Sequence, residues 1–443
     1  MLTTEITLWN TLIGTAAWDA DQQLGSFQYD ANFLRSGIQL SPIHLPLSEE
    51  IYRFPALAKK SFNGLPGLLA DSLPDKFGHL LIDQWLARQG RQADSFTPLE
   101  RLCYIGKRGM GALEFRPEQG SRANAPKQIE IDSLVALANE AIAQKADLDV
   151  HLSDLSRRSS AKTGATAREA MNDIIRVGTS AGGARAKAVI AWNRKTNQVL
   201  SGQLDAPEGF THWLLKLDGV SGNRDKEVAD PLGYGKIEYA YYLMAKEAGI
   251  EMMECRLYEE GGRSHFMTRR FDRGTNGEKY HMQTLCGLAH FDFNQAGAYS
   301  YEQACQVMRQ LQLPYADIEQ QYRRAVFNIL ARNQDDHTKN IAFLMNRQGE
   351  WRLSPAYDVA YSYNPDGAWT SRHQMTFNGK RDAFEPSDFL AAAQTMGIKT
   401  AKAKSILHQT SEALSRWPDH ARAASVSAKV AQSINSTFRS ISA

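Results

Sequence analysis

The chain contains 443 residues, of which 43% are hydrophobic, so it is long and apolar enough to bury several cores and to form two to four domains. Its 51 lysine and arginine residues nearly balance its 49 aspartate and glutamate residues. The resulting net charge of +2 excludes a general electrostatic attraction to nucleic acid.

The cysteine pattern and the first residues of the chain exclude further classes of protein. The four cysteines are scattered and form no C-x-x-C pair, which predicts free thiols in a reducing cytoplasm rather than a zinc site or a disulfide framework. Residues 1–22 carry three acidic residues and lack a basic start before an apolar core, so we predict no signal peptide. No apolar run approaches the roughly 18 residues that a membrane span needs, and we therefore predict no contact with a membrane.

The first part of the chain predicts a small leading domain. Residues 1–117 are β-rich, contain one helical stretch over 76–88 and close at Arg116-Pro117. Helices are then expected over 129–144 and 167–174, on either side of a Ser/Thr/Arg-rich segment. We predict four parts: the leading domain 1–117, a helical connection 118–170, a strand-rich lobe 171–273 and a helix-rich lobe 274–443.

The strand-rich lobe begins with a glycine-rich loop. Its residues are Ser180-Ala181-Gly182-Gly183-Ala184-Arg185-Ala186-Lys187, and an apolar strand follows over 188–192. Such loops let backbone amides approach phosphate oxygens, because glycine has no side chain to intervene. The pattern is neither a Walker loop nor G-x-G-x-x-G, so on its own it is a weak signal.

Two charged residues follow in the order that a nucleotide lobe requires. Lys216 lies in an alternating strand over 211–217, as expected of a strand lysine that contacts nucleotide phosphates. Glu238 opens a helix over 239–249 and is placed to pair with Lys216. Each residue also has a simpler interpretation. Lys216 could be an ordinary lysine at the end of a strand. Glu238 could be an acidic residue that the helix dipole favours at the start of a helix.

The most informative segment is Asn333-Gln334-Asp335-Asp336-His337-Thr338-Lys339-Asn340-Ile341, followed by Pro355-Ala356-Tyr357-Asp358-Val359. Asp335 and Asn340 are five residues apart and do not share a helix face, so we predict a shaped loop between a helix and a short buried strand over 341–344. Protein kinases use an aspartate to orient the attacking hydroxyl, and an asparagine five residues later and a further aspartate to hold magnesium. A polar turn is the alternative for this loop taken alone.

Taken together, these motifs resemble those of the HipA-like serine/threonine kinases, the toxins of bacterial type II toxin–antitoxin pairs. The loop ending at Lys187 is similar to that family's S-x-A-G-A-x-x-K, the segment from Asp335 to its D-x-H-x-K-N, and the segment ending at Asp358 to its P-x-Y-D. Arg270-Phe271-Asp272-Arg273 is similar to its R-F-D-R hinge, and residues 65–75 and 104–113 resemble its leading domain.

The resemblance implies a fold and a site. The fold class is α+β, with a two-lobed protein-kinase-like core, made of a β-rich nucleotide lobe and a helical C-lobe, after a small β-rich N-terminal domain. Asp335 would be the catalytic aspartate, Asn340 and Asp358 would bind Mg²⁺, and Glu238 would form an ion pair with Lys216. The implied ATP-binding residues are Gly182, Gly183, Ala184, Arg185, Ala186, Lys187, Lys216, Arg269, Arg270, Phe271, His337, Thr338, Lys339, Asn340, Tyr357 and Asp358.

The resemblance also implies a regulated toxin. The family's autophosphorylated serine corresponds to Ser180, with Thr179 beside it, and a phosphate there is expected to inhibit. The implied activity is transfer of the γ-phosphate of ATP to a cellular protein, an aminoacyl-tRNA synthetase, with a small antitoxin that carries the chain to DNA. Residues 361–382 are expected to form an activation segment.

Two other functions remain open at this stage. Small-molecule kinases use a related Asp…Asn…Asp arrangement, and a kinase-shaped module could act with an antitoxin on DNA without catalysis. The tail from Lys399 onward carries seven basic residues against two acidic ones, which is typical either of a partner- or DNA-facing surface or of an ordinary solvated helix face.

Overall fold

The structure, a computed structural model, describes residues 2–74, 76–88, 90–92, 95–117, 186–202, 206–220, 233–274 and 277–441. The predicted connection over 118–170 lies outside the described residues. The same is true of the loop residues Thr179, Ser180, Gly182, Gly183, Ala184 and Arg185.

The leading domain is built on a four-stranded antiparallel sheet in the order β3-β2-β1-β4. Its strands are β1 (Leu2–Leu8), β2 (Thr11–Asp19), β3 (Leu24–Tyr29) and β4 (Leu113–Arg116). Trp9 and Asn10 join β1 to β2 at positive φ (50° and 66°), the conformation that a two-residue hairpin of this kind requires. The helices of the domain are Ala31–Leu34, Lys59–Phe62, Gly67–Ala70, Lys76–Arg88 and Pro98–Ile105.

A five-stranded antiparallel sheet in the order β6-β5-β7-β9-β8 forms the strand-rich lobe. Its strands are β5 (Lys187–Trp192), β6 (Val199–Ser201), β7 (Thr211–Lys216), β8 (Cys255–Glu260) and β9 (Arg263–Arg269). The register pairs Lys187 with Lys216, so both lysines lie at the same end of the sheet.

One helix, Tyr234–Glu247, packs on this sheet. It begins at Tyr234, before the predicted opening at Glu238, because the turn before it ends at Gly233, whose left-handed conformation (φ 93°) starts the helix there. Gly235 lets the helix approach β9, since a Cβ at this position would lie 2.5 Å from the carbonyl oxygen of Ser264. Glu238 therefore lies in the second turn, buried between helix and sheet.

The helix-rich lobe combines helices with a small sheet. The helices are Leu285–Ala289, Tyr301–Gln310, Tyr315–Leu330, Pro386–Thr395, Thr400–Ser415, Trp417–Ala423 and Ala428–Asn435. The sheet is β10 (His281–Thr284), β11 (Ala342–Met345) and β12 (Trp351–Leu353), in that order. None of the helices within the described ranges is long and apolar enough to cross a membrane.

The leading domain is docked on the helix-rich lobe through hydrogen bonds and close backbone contacts. Asp71 accepts hydrogen bonds from the backbone N–H (2.5 Å) and the hydroxyl (2.7 Å) of Thr284. The backbones also meet closely, since a Cβ at Gly67 would lie 2.0 Å from the carbonyl oxygen of Gly287. A β-rich leading domain, a strand-rich lobe and a helix-rich lobe confirm the predicted fold class.

Candidate active site

The predicted catalytic loop connects the helix Tyr315–Leu330 to β11, with a single 3-10 turn over Thr338–Asn340. The backbone N–H of Asp335 donates to Oγ of Ser362 (3.0 Å), and its carbonyl accepts from Nδ2 of Asn340 (2.8 Å). These two hydrogen bonds fix the loop backbone on both sides of Asp335. The shaped loop expected from the five-residue spacing is therefore what the structure contains.

The carboxylate of Asp335 is partly exposed and contacts the segment 361–382. Its side chain is 45% exposed, and Oδ1 accepts a hydrogen bond from the indole N–H of Trp369 (2.8 Å). Nε2 of His337 lies 3.8 Å from the same oxygen. The aspartate is thus accessible, while one of its two oxygens is held by the protein.

The neighbouring Asp336 is fully buried and anchors the loop. Its carboxylate accepts hydrogen bonds from the Tyr301 hydroxyl (2.7 Å), Nδ1 of His373 (2.8 Å) and the Gln374 backbone N–H (2.7 Å). Burial alone raises the pKa of Asp336, but His373 and these hydrogen bonds outweigh it and lower the pKa. Arg439 donates to the other ring nitrogen of His373 (2.9 Å), so Nδ1 must carry the proton given to Asp336.

Lys216 connects the two lobes. Its ammonium contacts the carboxylates of both Glu238, from the helix on the sheet, and Asp358, from the helix-rich lobe. Lys216 is 8% exposed and Glu238 is 2% exposed, so this network is largely removed from water. Burial lowers the pKa of Lys216, but the two carboxylates outweigh it and raise the pKa, so the lysine is a fixed cation.

Asp358 is presented by a special backbone conformation. Its φ of 53° is left-handed, which is uncommon for a residue with a side chain. Just before it, the Tyr357 hydroxyl donates to the carbonyl of Lys339 (2.6 Å), which ties this segment to the catalytic loop. Burial raises the pKa of Asp358, but Lys216 and then Lys187 lower it by more, so the residue is held as a carboxylate.

The ligands implied for magnesium fit that ion chemically. Asp358 supplies a carboxylate, and Asn340 supplies an amide oxygen because its Nδ2 is used on the Asp335 carbonyl. Mg²⁺ prefers oxygen ligands and is commonly bound by one or two carboxylates together with substrate phosphates and water. No group of three or more His, Cys, Asp or Glu in the described part of the chain forms a self-sufficient metal site. Phosphate oxygens of a nucleotide and water would complete the coordination.

Several residues predicted to bind the nucleotide surround this junction. The Ala186 carbonyl accepts from the Leu217 N–H (2.9 Å), and Lys187 begins the strand beside Lys216. The rings of Phe271 and Tyr357 lie 5.4 Å apart, one from the strand-rich side and one next to Asp358. The structure thus gathers these residues at the boundary between the lobes.

Three loop residues make contacts that support the loop. The Thr338 hydroxyl is buried and donates to the Phe291 carbonyl (2.8 Å). The Lys339 ammonium lies 4.6 Å from the centre of the Phe293 ring, a cation–π contact. His337 packs against the same ring at 5.6 Å. These side chains therefore pack the loop against the 291–293 segment.

The predicted hinge contains an interdomain clamp, in which Arg270 and Arg273 both bind Asp272. Arg270 donates to Asp272 through Nε (2.9 Å) and a terminal nitrogen (2.6 Å) and is 2% exposed. Both arginines also donate to the carbonyl of Gly109 in the leading domain (3.3 and 3.1 Å). Nε and one terminal nitrogen of Arg270 are thus engaged within the clamp. Arg269 pairs with Trp213 in the sheet.

Some residues around the site carried no signal in the sequence. Trp369, Ser362 and Gln374 lie in the predicted activation segment, yet no spacing marks them out, because their contacts arise only when that segment folds onto the loop. Asp336 was part of the quoted motif, but its role as a buried anchor depends on three residues distant in sequence. Two adjacent aspartates therefore have opposite environments, one accessible and one buried.

Comparison with protein families accounts for most of the chain. Residues 179–417 match the HipA-like C-terminal domain, and residues 4–116 match the HipA N-terminal domain. A Haemophilus influenzae protein named "Putative kinase" is 27% identical over 143 residues, which are 29% of this chain and 42% of that protein. The match therefore spans about two fifths of this relative's length.

Solved structures show a similar fold. A chain of the Shewanella oneidensis MR-1 toxin–antitoxin complex of HipA, HipB and operator DNA has a TM-score of 0.64 at 17% identity and covers 98% of this chain and 94% of its own. The Helicobacter pylori proinflammatory kinase CtkA gives a TM-score of 0.32 at 13% identity, and the match covers 57% of this chain and 93% of that chain. The first likeness extends over all parts described above.

Proposed function

The chain belongs to the HipA family, and from this we propose that it is an ATP-dependent kinase that phosphorylates serine or threonine hydroxyls of a cellular protein. The observation that carries the proposal is the junction at Lys216, where carboxylates from both lobes meet one buried cation beside the Asp335 loop. Phosphoryl transfer depends on positioning and on fixed charges, and this arrangement supplies both.

The roles follow from the chemistry of each group. Asp335, accessible and hydrogen-bonded through one oxygen, would orient the acceptor hydroxyl and receive its proton. Lys216, a permanent cation, would contact the phosphates of ATP, while Glu238 keeps its ammonium in place. Asp358 and Asn340 would hold Mg²⁺, which when bound supplies charge neutralisation between the phosphate oxygens. Phe271 and Tyr357 would flank the nucleotide.

Incubation with Mg-ATP tests the proposal. We expect the purified chain to gain one or more phosphates by intact-mass analysis and to phosphorylate a protein acceptor, and we expect EDTA to abolish both. A panel of metabolites is tested in parallel as alternative phosphate acceptors. Transfer to a metabolite without transfer to protein would contradict the protein-kinase proposal and favour a small-molecule kinase. ATP binding with no transfer to any acceptor would favour a regulatory module.

The proposed biological role is that of a growth-inhibiting toxin. The Shewanella oneidensis structure contains HipB and operator DNA, which supports a small DNA-binding antitoxin as partner and DNA as an indirect one. The family resemblance supports an aminoacyl-tRNA synthetase as the acceptor, so that translation would stop and cells would persist without growth. The proposed activity is cytoplasmic, because the acceptor and the operator both lie there.

Self-inactivation through Ser180 is the regulatory part of the proposal. Phosphate adds about two negative charges to the loop that would cover the ATP phosphates, and like charges repel. We expect preincubation with Mg-ATP to lower the kinase activity of the wild type by about tenfold or more, whereas Ser180→Ala should keep its activity. Peptide mapping should find the phosphate on Ser180.

Thr179→Ala is the matched control, since it removes the neighbouring hydroxyl only. It should inactivate as the wild type does. Equal inactivation of the wild type and Ser180→Ala, or a phosphate mapped outside 179–180, would refute self-inactivation through this residue.

A further inference from the structure

We propose that Trp369 is a positioning residue for Asp335, and this inference rests on the proposed kinase function. The indole N–H of Trp369 donates to Oδ1 of Asp335 at 2.8 Å. Trp369 lies 34 residues after the aspartate, in the segment that follows Asp358. A residue outside the catalytic loop therefore sets the orientation of the carboxylate that would receive the hydroxyl proton.

Trp369 is distinguished by what it contacts. The other two hydrogen bonds at Asp335, from Asn340 and to Ser362, involve its backbone and leave the side-chain torsions free. His337 lies 3.8 Å from Oδ1, which is beyond hydrogen-bond length. Among the described residues, the indole is the donor that fixes the carboxylate itself. Because Oδ1 is taken, Oδ2 is the oxygen that can face an acceptor hydroxyl.

The backbone that carries the indole is held by residues on both sides of Asp335. The Trp369 carbonyl accepts from Nε2 of Gln374, whose backbone N–H donates to the buried Asp336 (2.7 Å). Nε2 of Gln374 also lies 3.4 Å from the carbonyl of Gln334. Nε2 of Gln334 in turn donates to the carbonyl of Thr370 (3.1 Å).

These contacts join residues 369–374 to residues 334–336 as one unit. Gln334 is fully buried and Gln374 is 3% exposed, so water does not compete strongly for their hydrogen bonds. The backbone of Trp369 is thereby held at a fixed place relative to the loop, within reach of the indole's hydrogen bond to Asp335. A partner or acceptor that displaces the segment would also release the carboxylate, which couples the order of this segment to catalysis.

Trp369→Phe tests the inference, because it removes the N–H and keeps a smaller aromatic ring in the same place. Initial rates of phosphate incorporation are measured over a range of ATP concentrations at saturating Mg²⁺, with ATP binding by titration and folding by thermal unfolding. We expect kcat to fall about ten- to a hundredfold, since a hydrogen bond to a charged group is lost, while KM and Kd for ATP change by less than about twofold. A role in packing alone would not separate kcat from ATP binding in this way.

Trp351→Phe is the matched control. Its indole donates one hydrogen bond to the Gln39 carbonyl (3.2 Å), at the contact between the leading domain and the helix-rich lobe. The same chemical change there should leave kcat within about twofold of the wild type. Ser362→Ala provides a second variant, because it removes the hydroxyl that accepts from the Asp335 backbone N–H. It should also lower kcat more than it changes ATP binding.

The outcomes separate the two proposals. A wild type that binds Mg-ATP but transfers no phosphate overturns the kinase function and this inference with it. A wild type that transfers phosphate while Trp369→Phe matches it overturns the positioning role alone. A faster Trp369→Phe also overturns it, because the contact would then restrain Asp335 rather than prepare it.

Discussion

Asp335→Asn is expected to lower phosphoryl transfer by about 10²–10⁴-fold while Mg-ATP still binds, since this is the range that a general base contributes. Asparagine has the same shape, and its amide oxygen can still accept from the Trp369 indole at the position of Oδ1. It cannot accept a proton from the attacking hydroxyl. Lys216, Asp358 and Asn340 remain in place, so nucleotide binding should be preserved. Initial rates and ATP titration on the same preparation measure both quantities.

Asp366→Asn is the matched control for this substitution, because Asp366 is exposed in the same segment and its change is chemically identical. Its rate should equal that of the wild type. Expression in cells adds a second readout, in which the wild type should slow growth and Asp335→Asn should not. Retained transfer by Asp335→Asn, at more than about a tenth of the wild-type rate, would be incompatible with the role assigned to this residue.

The parts of the site that lie close together in sequence could be predicted, and the parts assembled by folding could not. The loop between a helix and a strand follows from the spacing of Asp335 and Asn340, which rules out one helix face. Lys216 and Glu238 lie 22 residues apart, and their contact was expected only from their order along the chain. Trp369 has no such signal, because an indole in a polar segment looks the same whether it faces water or a carboxylate.

The partners of the charged hinge residues could not be predicted from the sequence either. A motif of two arginines around an aspartate predicts charge but not its partners, and the resemblance assigned the first of these arginines to ATP binding. In the structure, backbone carbonyls of residues 109 and 111 complete the network, more than 150 residues away. Only the docking of the leading domain reveals that the charged residues of the hinge join it to the core. The helix Lys76–Arg88, by contrast, is a local feature that the sequence predicts directly.

Asp272→Asn is expected to destabilise the protein by about 3–5 kcal/mol, because it leaves two buried guanidinium groups without their counter-ion. Asp272 is 0% exposed and binds Arg270 and Arg273, and it also accepts from the Gly111 N–H (2.7 Å). The apparent unfolding temperature should fall by several degrees or more. Asp419→Asn is the control, because Asp419 pairs with Arg422 on the surface (3.1 Å, 56% and 78% exposed) and should change stability by less than about 1 kcal/mol.

The pH dependence of stability gives an independent check that the charge of Asp272 is the cause of the destabilisation. Burial raises the pKa of Asp272, but Arg270 and Arg273 outweigh it and hold the pKa well below the ordinary value of 3.8. A carboxyl whose pKa is lowered by folding contributes stability that is complete above its unfolded pKa and is lost as pH falls towards its folded pKa. The difference between wild type and Asp272→Asn should therefore be constant from neutral pH down to about 5 and shrink below about 4. Two results would show that the clamp does not join the leading domain to the core by charge. The stability difference between the wild type and Asp272→Asn could grow as the pH falls, or it could be no larger than that caused by Asp419→Asn.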